Sequence, residues 1–375
     1  MLLNSYISGM SGGDTWAIEI AKRLCRKKQI NITIVTPKRA AEEWKKRGLS
    51  DCNYIVTTKE KEPEKLPLLY GKRILNFVTK KLNSCDEDII FATSIFLPDV
   101  IPFLFLKGKK VAIFHMQAPH PICGYRNLLR KTQKWDLTVG NILNWINEKI
   151  MMQLLKLTDA TMFVLPTTKE VVNSYGFSDG KMFTTTNGID LAYINKIPEQ
   201  KKEFDACWVG RPHPQKGVDD LIDIWGLVVQ SNPKKTLVLM GADTETYKDR
   251  VIKKGLEKNI IIRGFVSDEE KFRTMKSSRL FLSTSYFESF HIAVMEAAAC
   301  GLSIIAYDLP VYRQIYGDIL HYVKLSEKKI FADQIKVLLE NDSKREKDVK
   351  NMNEFILDFD WDTISEQVWN DLNIM

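Results

Sequence analysis

The feature that most constrains this 375-residue sequence is an alternation of strand and helix patterns that begins afresh near the middle of the chain. Short runs rich in β-branched and aromatic residues are each followed by a longer segment of helical periodicity. The runs are almost continuously apolar, which indicates sheets covered on both faces, and the intervening helices make the strands parallel. The predicted strands are MLLNSY, INITIVTP, CNYIVTT, DIIFATS, KVAIFHM and ATMFVLP in the first half, and ACWVG, KTLVLMG, NIIIRG, RLFLSTS and LSIIAYD in the second.

Two consecutive sheets of this kind predict an α/β protein with two Rossmann-like, doubly wound domains. Ligands of such domains bind beyond the carboxyl ends of the strands, so we expect the two domains to face a central cleft. The polar segment IPEQKKEFD precedes a fresh strand, which predicts a first domain over residues 1–200 and a second over residues 201–358. The C-terminal helix, within DFDWDTISEQVWNDL, either caps the second sheet or crosses back to the first.

Charge and cysteine content narrow the class of protein. A formal net charge of +7 suits an anionic small molecule, an anionic membrane or nucleic acid, but a lysine-rich solvated surface explains most of it. The basic residues are not gathered in one stripe, which disfavours a nucleic-acid binder. The six cysteines occur singly, without a CxxC pair, so we expect no zinc site and a reducing, cytoplasmic location. No signal peptide and no run of roughly 18–20 apolar residues is recognised.

The strongest local signal is LFLSTSYFESFHIAVMEAAACG, in which a predicted strand ends near Ser283 and a helix starts around Phe290. The first N–H groups of a helix lack intrahelical partners and, with the helix dipole, can bind a phosphate. Glu288 and Glu296 have seven residues between them and suit hydrogen bonds from sugar hydroxyls. The alternatives are a helix cap for Glu288 and a solvated position for Glu296, although the alanines around Glu296 disfavour an idle charge.

A second signal, CWVGRPHPQKGVDDLIDIW, also joins a strand to a helix. Arg211 and Lys216 lie on the connecting loop, and two cations at the carboxyl end of a sheet suit a diphosphate. Gly210 and Gly217 flank this loop and permit a close approach of the backbone. The alternative is that both cations are ordinary solvated surface charges.

The first half carries weaker signals. Gly12 and Gly13 lie in the loop after the first strand, and a plain turn is the alternative because the GxGxxG pattern is absent. His115 directly follows a strand, where a structural histidine is the commoner case. The triplet Asp86–Glu87–Asp88 precedes its strand, so a solvated turn is favoured over a metal ligand set. We therefore expect no metal, and the absence of a P-loop motif disfavours that class of phosphoryl transfer.

Taken together, these motifs resemble the retaining glycosyltransferases of family 4, which have the GT-B fold. VGRPHPQKGVDDLI is similar to the Gly-Arg…Lys-Gly segment of that family, and TTTNGID to its Asn-Gly-(Ile/Val)-Asp segment. The stretch from NIIIRGF to EAAACG is similar to the family's stretch through its E-x7-E motif. The resemblance covers essentially the whole chain and implies that the last helix, in residues 359–375, returns to the first domain.

The resemblance also implies a role for each matching residue. Arg211 and Lys216 would bind the donor diphosphate and stabilise the leaving group. Glu288 would contact the transferred sugar, Glu296 would bind the ribose hydroxyls, and His115 would lie near the donor sugar and the acceptor. The other residues would bring the backbone close to the donor: Gly12, Gly13 and Gly210 at the diphosphate, Phe265 and Val266 at the base, and Phe290, His291, Ile292 and Ala293 at phosphate and sugar.

Two departures from the family pattern concern the same region. His291 stands where the family usually has a glycine after the phenylalanine. The segment YDLPVYRQI replaces the usual small residues and acid after the next strand. His291 would change the local backbone geometry or the sugar pocket. The segment YDLPVYRQI would change contacts on the acceptor or sugar side.

The sequence therefore predicts a retaining hexosyltransferase that uses a UDP- or GDP-sugar and no cofactor. Its acceptor would be a hydroxyl of a glycan, lipid or small molecule, in cell-surface polysaccharide or glycolipid synthesis. The alternatives are an epimerase or phosphorylase of the same fold, and a non-catalytic protein that binds sugar nucleotides or glycans. Basic and aromatic residues between Arg126 and Trp145 suit either an anionic membrane surface on the cytoplasmic side or a solvated helix. The oligomeric state stays open.

Overall fold

The computed structural model describes most of the chain as two compact units. Of the described residues, unit 1 contains those up to Gly188 and those from Trp361 onwards, and unit 2 contains Ile189–Asp360. The described ranges are 1–4, 11–28, 30–58, 71–72, 74–76, 82–115, 139–164, 176–177, 179–211, 213–241, 244–288 and 290–374. The basic segment predicted for membrane binding, from Arg126 to Trp135, lies outside them, and for Trp145 only the backbone is described.

Unit 1 is built on a seven-stranded parallel sheet with the order β3-β2-β1-β4-β5-β6-β7. Its strands are β1 (Leu2–Leu3), β2 (Thr33–Thr36), β3 (Asn53–Val56), β4 (Ile89–Ala92), β5 (Lys109–Phe114), β6 (Ala160–Phe163) and β7 (Met182–Thr184). Its first four described helices are α1 (Gly12–Lys28), α2 (Lys38–Trp44), α3 (Leu97–Val100) and α4 (Val139–Leu154). The inner strands are mainly apolar and buried because helices cover both faces of a parallel sheet, whereas β3 at the edge is only half-buried.

Unit 2 is built on a six-stranded parallel sheet with the order β10-β9-β8-β11-β12-β13. Its strands are β8 (Phe204–Val209), β9 (Leu237–Met240), β10 (Ile260–Gly264), β11 (Ser278–Ser283), β12 (Ser303–Tyr307) and β13 (His321–Val323). Its described helices are α5 (Leu191–Lys196), α6 (Val218–Ser231), α7 (Lys248–Lys253), α8 (Asp268–Lys276), α9 (Ile292–Ala299), α10 (Pro310–Tyr316), α11 (Lys328–Leu339) and α12 (Asp342–Phe355). Trp208 and Trp225 are fully buried in its core.

The strand order places a topological switch point in each sheet. In unit 1 the chain leaves β1 for β2 on one side, whereas β4 lies on the other side of β1; in unit 2 the same relation holds for β8, β9 and β11. At such a point the loops after two neighbouring strands diverge and open a crevice at the carboxyl edge. The loops after β1 and β4, and those after β8 and β11, are therefore where the fold favours a ligand.

The last helix, α13 (Trp361–Ile374), packs on α1 of unit 1. α13 also lies against Gly188, where only glycine fits, because a Cβ there would lie 2.7 Å from Ile364 and 2.8 Å from the Trp361 ring. The exposed Asp362 carboxylate accepts a hydrogen bond from Arg23 at 2.5 Å. The Ile189 N–H donates to the Phe359 carbonyl oxygen within unit 2. The two compact units divide the chain at Gly188, whereas the sequence-based boundary after residue 200 falls inside unit 2.

Among the helices that the structure describes, none is both long and apolar enough to cross a bilayer.

Candidate functional site

The candidate site in unit 2 begins with the loop that follows β8. The segment Pro214–Lys216 forms a single 3-10 turn, and the His213 imidazole accepts a hydrogen bond from the Gln215 N–H at 3.3 Å. Gly217 then adopts a left-handed conformation (φ 62°) and directs the chain into α6. A Cβ at Gly217 would lie 2.0 Å from the carbonyl oxygen of Thr284, so only glycine fits between the two loops.

Several hydrogen bonds join this loop to the one that follows β11. The Thr284 hydroxyl donates to the carbonyl oxygens of Lys216 (3.2 Å) and Gly217 (2.9 Å). The Tyr286 N–H donates to the Gln215 carbonyl oxygen at 2.8 Å, and the Gln215 amide donates to the Phe287 carbonyl oxygen at 2.6 Å. The two loops are thus held as one rigid piece at the switch point of the sheet.

This arrangement brings Lys216 and Glu288 into contact. The Lys216 ammonium donates to Glu288 Oε1 at 2.7 Å, and the exposed side-chain fractions are 19% and 6%, respectively. Burial alone would raise the pKa of Glu288, but His291 and the Lys216 ammonium outweigh it, and the pKa lies below its usual value. Glu288 is therefore a buried carboxylate that is ionised at neutral pH.

His291 lies on the other side of this carboxylate. Its Nδ1 is 3.6 Å from Glu288 Oε1, and the side chain is 3% exposed. Burial lowers the pKa of His291 to about 3, since the attraction of Glu288 does not compensate for lost hydration. The imidazole is neutral at physiological pH, so the cation that faces Glu288 is Lys216.

The helix after this loop begins later than predicted. The sequence favoured a start around Phe290, but α9 starts at Ile292 because His291 is left-handed at the N-cap. The Val294 N–H is bonded to the His291 carbonyl oxygen, whereas no described residue accepts a hydrogen bond from the N–H groups of Ile292 and Ala293. Within the described part of the chain, those two partly buried donors of the first turn have no acceptor, so they can bind an anion.

Glu296 lies on α9 and is paired with a lysine that the sequence patterns did not single out. Lys271 of α8 donates to Glu296 Oε1 at 2.7 Å, and both side chains are about 85% buried, at 14% and 15% exposed. Burial would lower the pKa of Lys271, but Glu296 and Asp268 outweigh this effect and raise it. Glu296 is thus a partly buried carboxylate held in a fixed orientation rather than a solvated charge.

The remaining predicted residues of unit 2 lie at the ends of β8 and β10. Arg211 is exposed, and no described carboxylate pairs with it. The pKa of the neighbouring His213 is lowered by burial and by the charges of Arg211 and Lys216, which indicates a locally positive loop. Gly210 packs against the Trp208 ring, and Phe265 is 82% exposed directly after β10. Val266 beside it is partly buried.

In unit 1 the structure brings Gly13 and His115 together. A Cβ on Gly13 would lie 2.9 Å from the His115 ring, and His115 Nε2 is 3.1 Å from the Thr93 carbonyl oxygen. Because a carbonyl only accepts, Nε2 carries the proton and Nδ1 is an acceptor. Burial lowers the pKa of His115 to about 4, so the ring is neutral at physiological pH.

Sequence patterns missed a buried polar network beneath the first turn of α1, which begins at Gly12. The Asn4 amide donates to Asp14 Oδ1 (3.0 Å) and to the Thr93 hydroxyl (2.9 Å). Ser11 and Asp14 form a reciprocal capping box, in which the Asp14 N–H donates to the Ser11 hydroxyl and the Ser11 N–H to the Asp14 carboxylate. The network links the ends of β1 and β4 and fixes the start of α1. Gly12 and Gly13 were predicted in a loop, but they lie in the first turn of this helix, because Ser11 and Asp14 cap it there.

No group of three acidic, histidine or cysteine side chains in the described part of the chain is arranged to hold a metal ion.

Comparison with known proteins shows which family this site resembles. Residues 191–355, which contain every predicted site residue of unit 2, match the family Glycosyl transferases group 1. This segment is therefore similar to the domains of that family. The predicted fold class is confirmed as well, because both units are Rossmann-like α/β domains with parallel sheets, as in solved GT-B glycosyltransferases.

Two relatives of this segment have names that refer to lipids. The phosphatidyl-myo-inositol mannosyltransferase of Mycobacterium leprae is 27% identical over 191 residues, which cover 48% of this chain and 50% of that protein. The alpha-galactosylglucosyldiacylglycerol synthase of Streptococcus pneumoniae is 24% identical over 210 residues, 51% of this chain and 55% of that protein. The chain thus spans about half the length of the curated relatives it matches.

The solved structure of HepE from Anabaena, in complex with UDP and glucose, resembles the whole chain. The TM-score is 0.73 at 17% identity, and the likeness covers 100% of this chain and 99% of HepE. At this level of identity the likeness shows the fold alone.

Proposed function

We propose that the protein is a retaining glycosyltransferase that transfers a hexose from a nucleoside diphosphate sugar to an acceptor hydroxyl. One observation carries the proposal: Lys216, after β8, is bonded to the buried carboxylate of Glu288, after β11, at the switch point of the sheet in the segment that matches the group 1 glycosyltransferases. A cation and a carboxylate side by side suit a ligand that has a diphosphate joined to a sugar.

The cations suit the departing diphosphate. A lysine ammonium has three N–H donors, and Glu288 takes one from Lys216, which leaves two for phosphate oxygens. The exposed Arg211 guanidinium can add a bidentate contact. Negative charge develops on the diphosphate as the sugar leaves, and fixed donors in a poorly hydrated site stabilise such charge strongly. Lys216, Arg211 and the N–H groups of Ile292 and Ala293 supply those donors.

The carboxylates suit the sugars. Glu288 would accept hydrogen bonds from hydroxyls of the transferred hexose, and Glu296 from the ribose. Phe265 and Val266 would lie near the base, with the backbone of Phe290 and His291 near phosphate and sugar. In unit 1, Gly12, Gly13 and His115 are the residues proposed for the diphosphate and the sugar. The departing phosphate would help to deprotonate the acceptor, so that no protein base is required.

The donor and the acceptor can be narrowed by analogy. A structural neighbour holds UDP and glucose, and two relatives are named for lipid substrates, which supports a UDP- or GDP-sugar donor and a lipid-linked or glycan acceptor. A lipid acceptor would bring the protein to the cytoplasmic face of a membrane. In line with this, α4 exposes Ile146 and Ile150, one helical turn apart, on either side of Lys149.

The decisive experiment measures donor binding and transfer separately. A thermal-shift screen with UDP-, GDP- and ADP-sugars should show one preferred donor, and a labelled donor should yield a product with the donor's anomeric configuration, in the presence of EDTA as well. Arg211→Ala and Lys216→Ala should each lower turnover at least about 100-fold, as the loss of an oxyanion donor does. Lys258→Ala, an exposed lysine of the same unit, is the matched control.

Other outcomes would identify the rival functions. Conversion of the donor without an acceptor would indicate an epimerase, and donor binding without any conversion would indicate a non-catalytic binding protein. Near-normal turnover in both variants would contradict the proposal. Flotation with anionic and with neutral liposomes, compared between the wild type and an Ile146→Glu/Ile150→Glu variant, tests the membrane association.

A further inference from the structure

The two departures from the family pattern meet in space. His291, in the position of the family's glycine, contacts Tyr312 of α10, which lies in the unusual segment YDLPVYRQI. His291 Nδ1 is 2.5 Å from the Tyr312 hydroxyl, and the two rings stack with centroids 6.0 Å apart. The two residues that depart from the family pattern, His291 and Tyr312, are therefore in contact with each other.

His291 also has an unfavourable backbone. Its φ of 66° and ψ of 70° place it in the left-handed region, which explains why glycine is usual at this position. A non-glycine residue there costs roughly 1–2 kcal/mol. Side chains that hold the imidazole must offset this cost, and backbone strain of this kind clusters at functional sites.

Ser283 completes the set that holds the ring. The Ser283 hydroxyl is 2.9 Å from the Tyr312 hydroxyl and 3.3 Å from His291 Nδ1, and all three side chains are buried. If Tyr312 donates to Nδ1 and Ser283 donates to Tyr312, both hydroxyl hydrogens have an acceptor. If Nδ1 carried the hydrogen instead, one of the two hydroxyl hydrogens would have no acceptor within this set of three side chains. The chain of donations from Ser283 through Tyr312 to Nδ1 thus places the imidazole hydrogen on Nε2.

The network touches the proposed reaction centre at Glu288. Nδ1 of His291 is 3.6 Å from Glu288 Oε1, the same oxygen that accepts the hydrogen bond from Lys216. The groups that face the imidazole are Glu288 and Lys216 from the loops, Ser283 and Phe281 from β11, and Tyr312 from α10. Nε2 has no hydrogen-bond partner among the described residues, so the ring is held from the Nδ1 side alone.

We propose that Ser283, His291 and Tyr312 form a positioning network that fixes Glu288 and the first turn of α9, and that it replaces the glycine of related enzymes as the element that shapes the sugar side of the donor site. The proposal rests on the proposed function, because positioning Glu288 matters only if Glu288 binds the transferred sugar. The network acts through Glu288, and its three members are positioning residues rather than catalytic ones.

The network itself can be tested without any activity. The chain has five histidines, so the imidazole nitrogens of the 15N-labelled protein give a sparse NMR spectrum, in which His291 is assigned by its loss in His291→Asn. We expect the neutral Nε2–H tautomer at pH 7 and a changed Nδ1 resonance in Tyr312→Phe. An imidazolium or an Nδ1–H tautomer at pH 7 would overturn the network, whatever the enzyme does.

Its role is tested by kinetics with a matched control on the same helix. Tyr312→Phe removes the bonded hydroxyl and keeps the ring, whereas Tyr316→Phe removes a buried hydroxyl that has no partner among the described residues, one turn further on. We expect Tyr312→Phe to lower kcat about 10- to 100-fold, as small misplacements in an active site do, with the donor Kd changed less than about 2-fold. Tyr316→Phe should match the wild type.

The last test measures whether the effects of substituting His291 and Tyr312 on kcat depend on each other. In a His291→Gly background, Tyr312→Phe should have no further effect on kcat, and His291→Asn, which tolerates the left-handed backbone and offers an acceptor oxygen, should retain more activity than His291→Gly. Equal kcat values for Tyr312→Phe and Tyr316→Phe, or additive effects, would overturn the positioning role. If the wild type bound no nucleotide sugar, the proposed function and this role would fall together, while the NMR result would still decide whether the network exists.

Discussion

The charge of Lys216 stabilises the fold by pairing with Glu288 and is proposed to bind the donor diphosphate, and replacing Lys216 by methionine separates these two roles. Methionine keeps most of the aliphatic stem and removes the ammonium, so Glu288 is left as a buried carboxylate, 6% exposed, without its cation. Removing one partner of a buried ion pair costs about 3–5 kcal/mol. We expect the lower end, about 3 kcal/mol, because the Lys216 side chain is 19% exposed and water can reach the site.

The double variant Lys216→Met/Glu288→Gln tests the origin of this cost. Replacing both charges of a buried pair by neutral groups is often close to neutral for stability, so the double variant should recover most of the loss. Neither variant should recover transfer, because the diphosphate loses a donor in both. Compared with Lys216→Met, the double variant should therefore regain stability but not transfer activity.

Calorimetry of the variants provides the measurement. For a domain of this size 1 kcal/mol shifts Tm by about 2–4 °C, so Lys216→Met should unfold roughly 6–12 °C below the wild type. The lowered pKa of Glu288 in the folded state adds a pH dependence: the stabilisation is present above the unfolded pKa of 4.5 and is lost as the pH falls through the folded value. The difference should shrink at pH 4. Equal Tm values for the single and double variants would refute the reasoning.

Three further outcomes follow from the site. Gly217→Ala should destabilise the protein far more than Gly255→Ala, since both are left-handed but only the first meets a carbonyl oxygen, at 2.0 Å; equal Tm losses would contradict this. His291→Asn should make the protein less sensitive to acid. The folded pKa of His291 is about 3, so below pH 6.5 only the unfolded wild type takes up its proton, and the wild type loses about 1.4 kcal/mol of stability per pH unit that the variant keeps. Parallel curves of unfolding free energy against pH for the two proteins would count against this. Glu296→Gln should weaken UDP or GDP binding about 10-fold in calorimetry, with exposed Glu269→Gln as the unaffected control.

Most of the fold could be predicted because long apolar strands carry a strong pattern. The strands β8 and β11 were identified within one or two residues from ACWVG and RLFLSTS. The edge strands β7 and β13 were not among the predicted strands, since MFT and HYV each mix a polar with two apolar residues and form no continuous apolar run. The destination of α13 was left open by the residues themselves, because its apolar spacing shows that one face is buried but not against which unit.

The members of the candidate site could be named from the sequence one by one, but the contacts between them could not. Lys216 and Glu288 were singled out separately, whereas their contact depends on β8 lying beside β11, which no local pattern contains. Lys271 was missed because a lysine on a helix normally signals a solvated face. The polar network around Asp14 left one usable sign, the capping-box spacing from Ser11 to Asp14.

A buried carboxylate beneath the site explains how two loops can hold an ion pair in one geometry. Asp220 of α6 accepts hydrogen bonds from the hydroxyls of Tyr286 (2.6 Å) and Tyr307 (2.9 Å), and its other oxygen is 2.6 Å from the Lys328 ammonium. Asp220 lies one turn after Lys216, and Tyr286 lies two residues before Glu288, so one carboxylate anchors both loops. Donors fixed in this way need not reorganise as charge develops, which is the condition under which electrostatic stabilisation is most effective. The support therefore lies in the scaffold, which holds the pair of Lys216 and Glu288 in place.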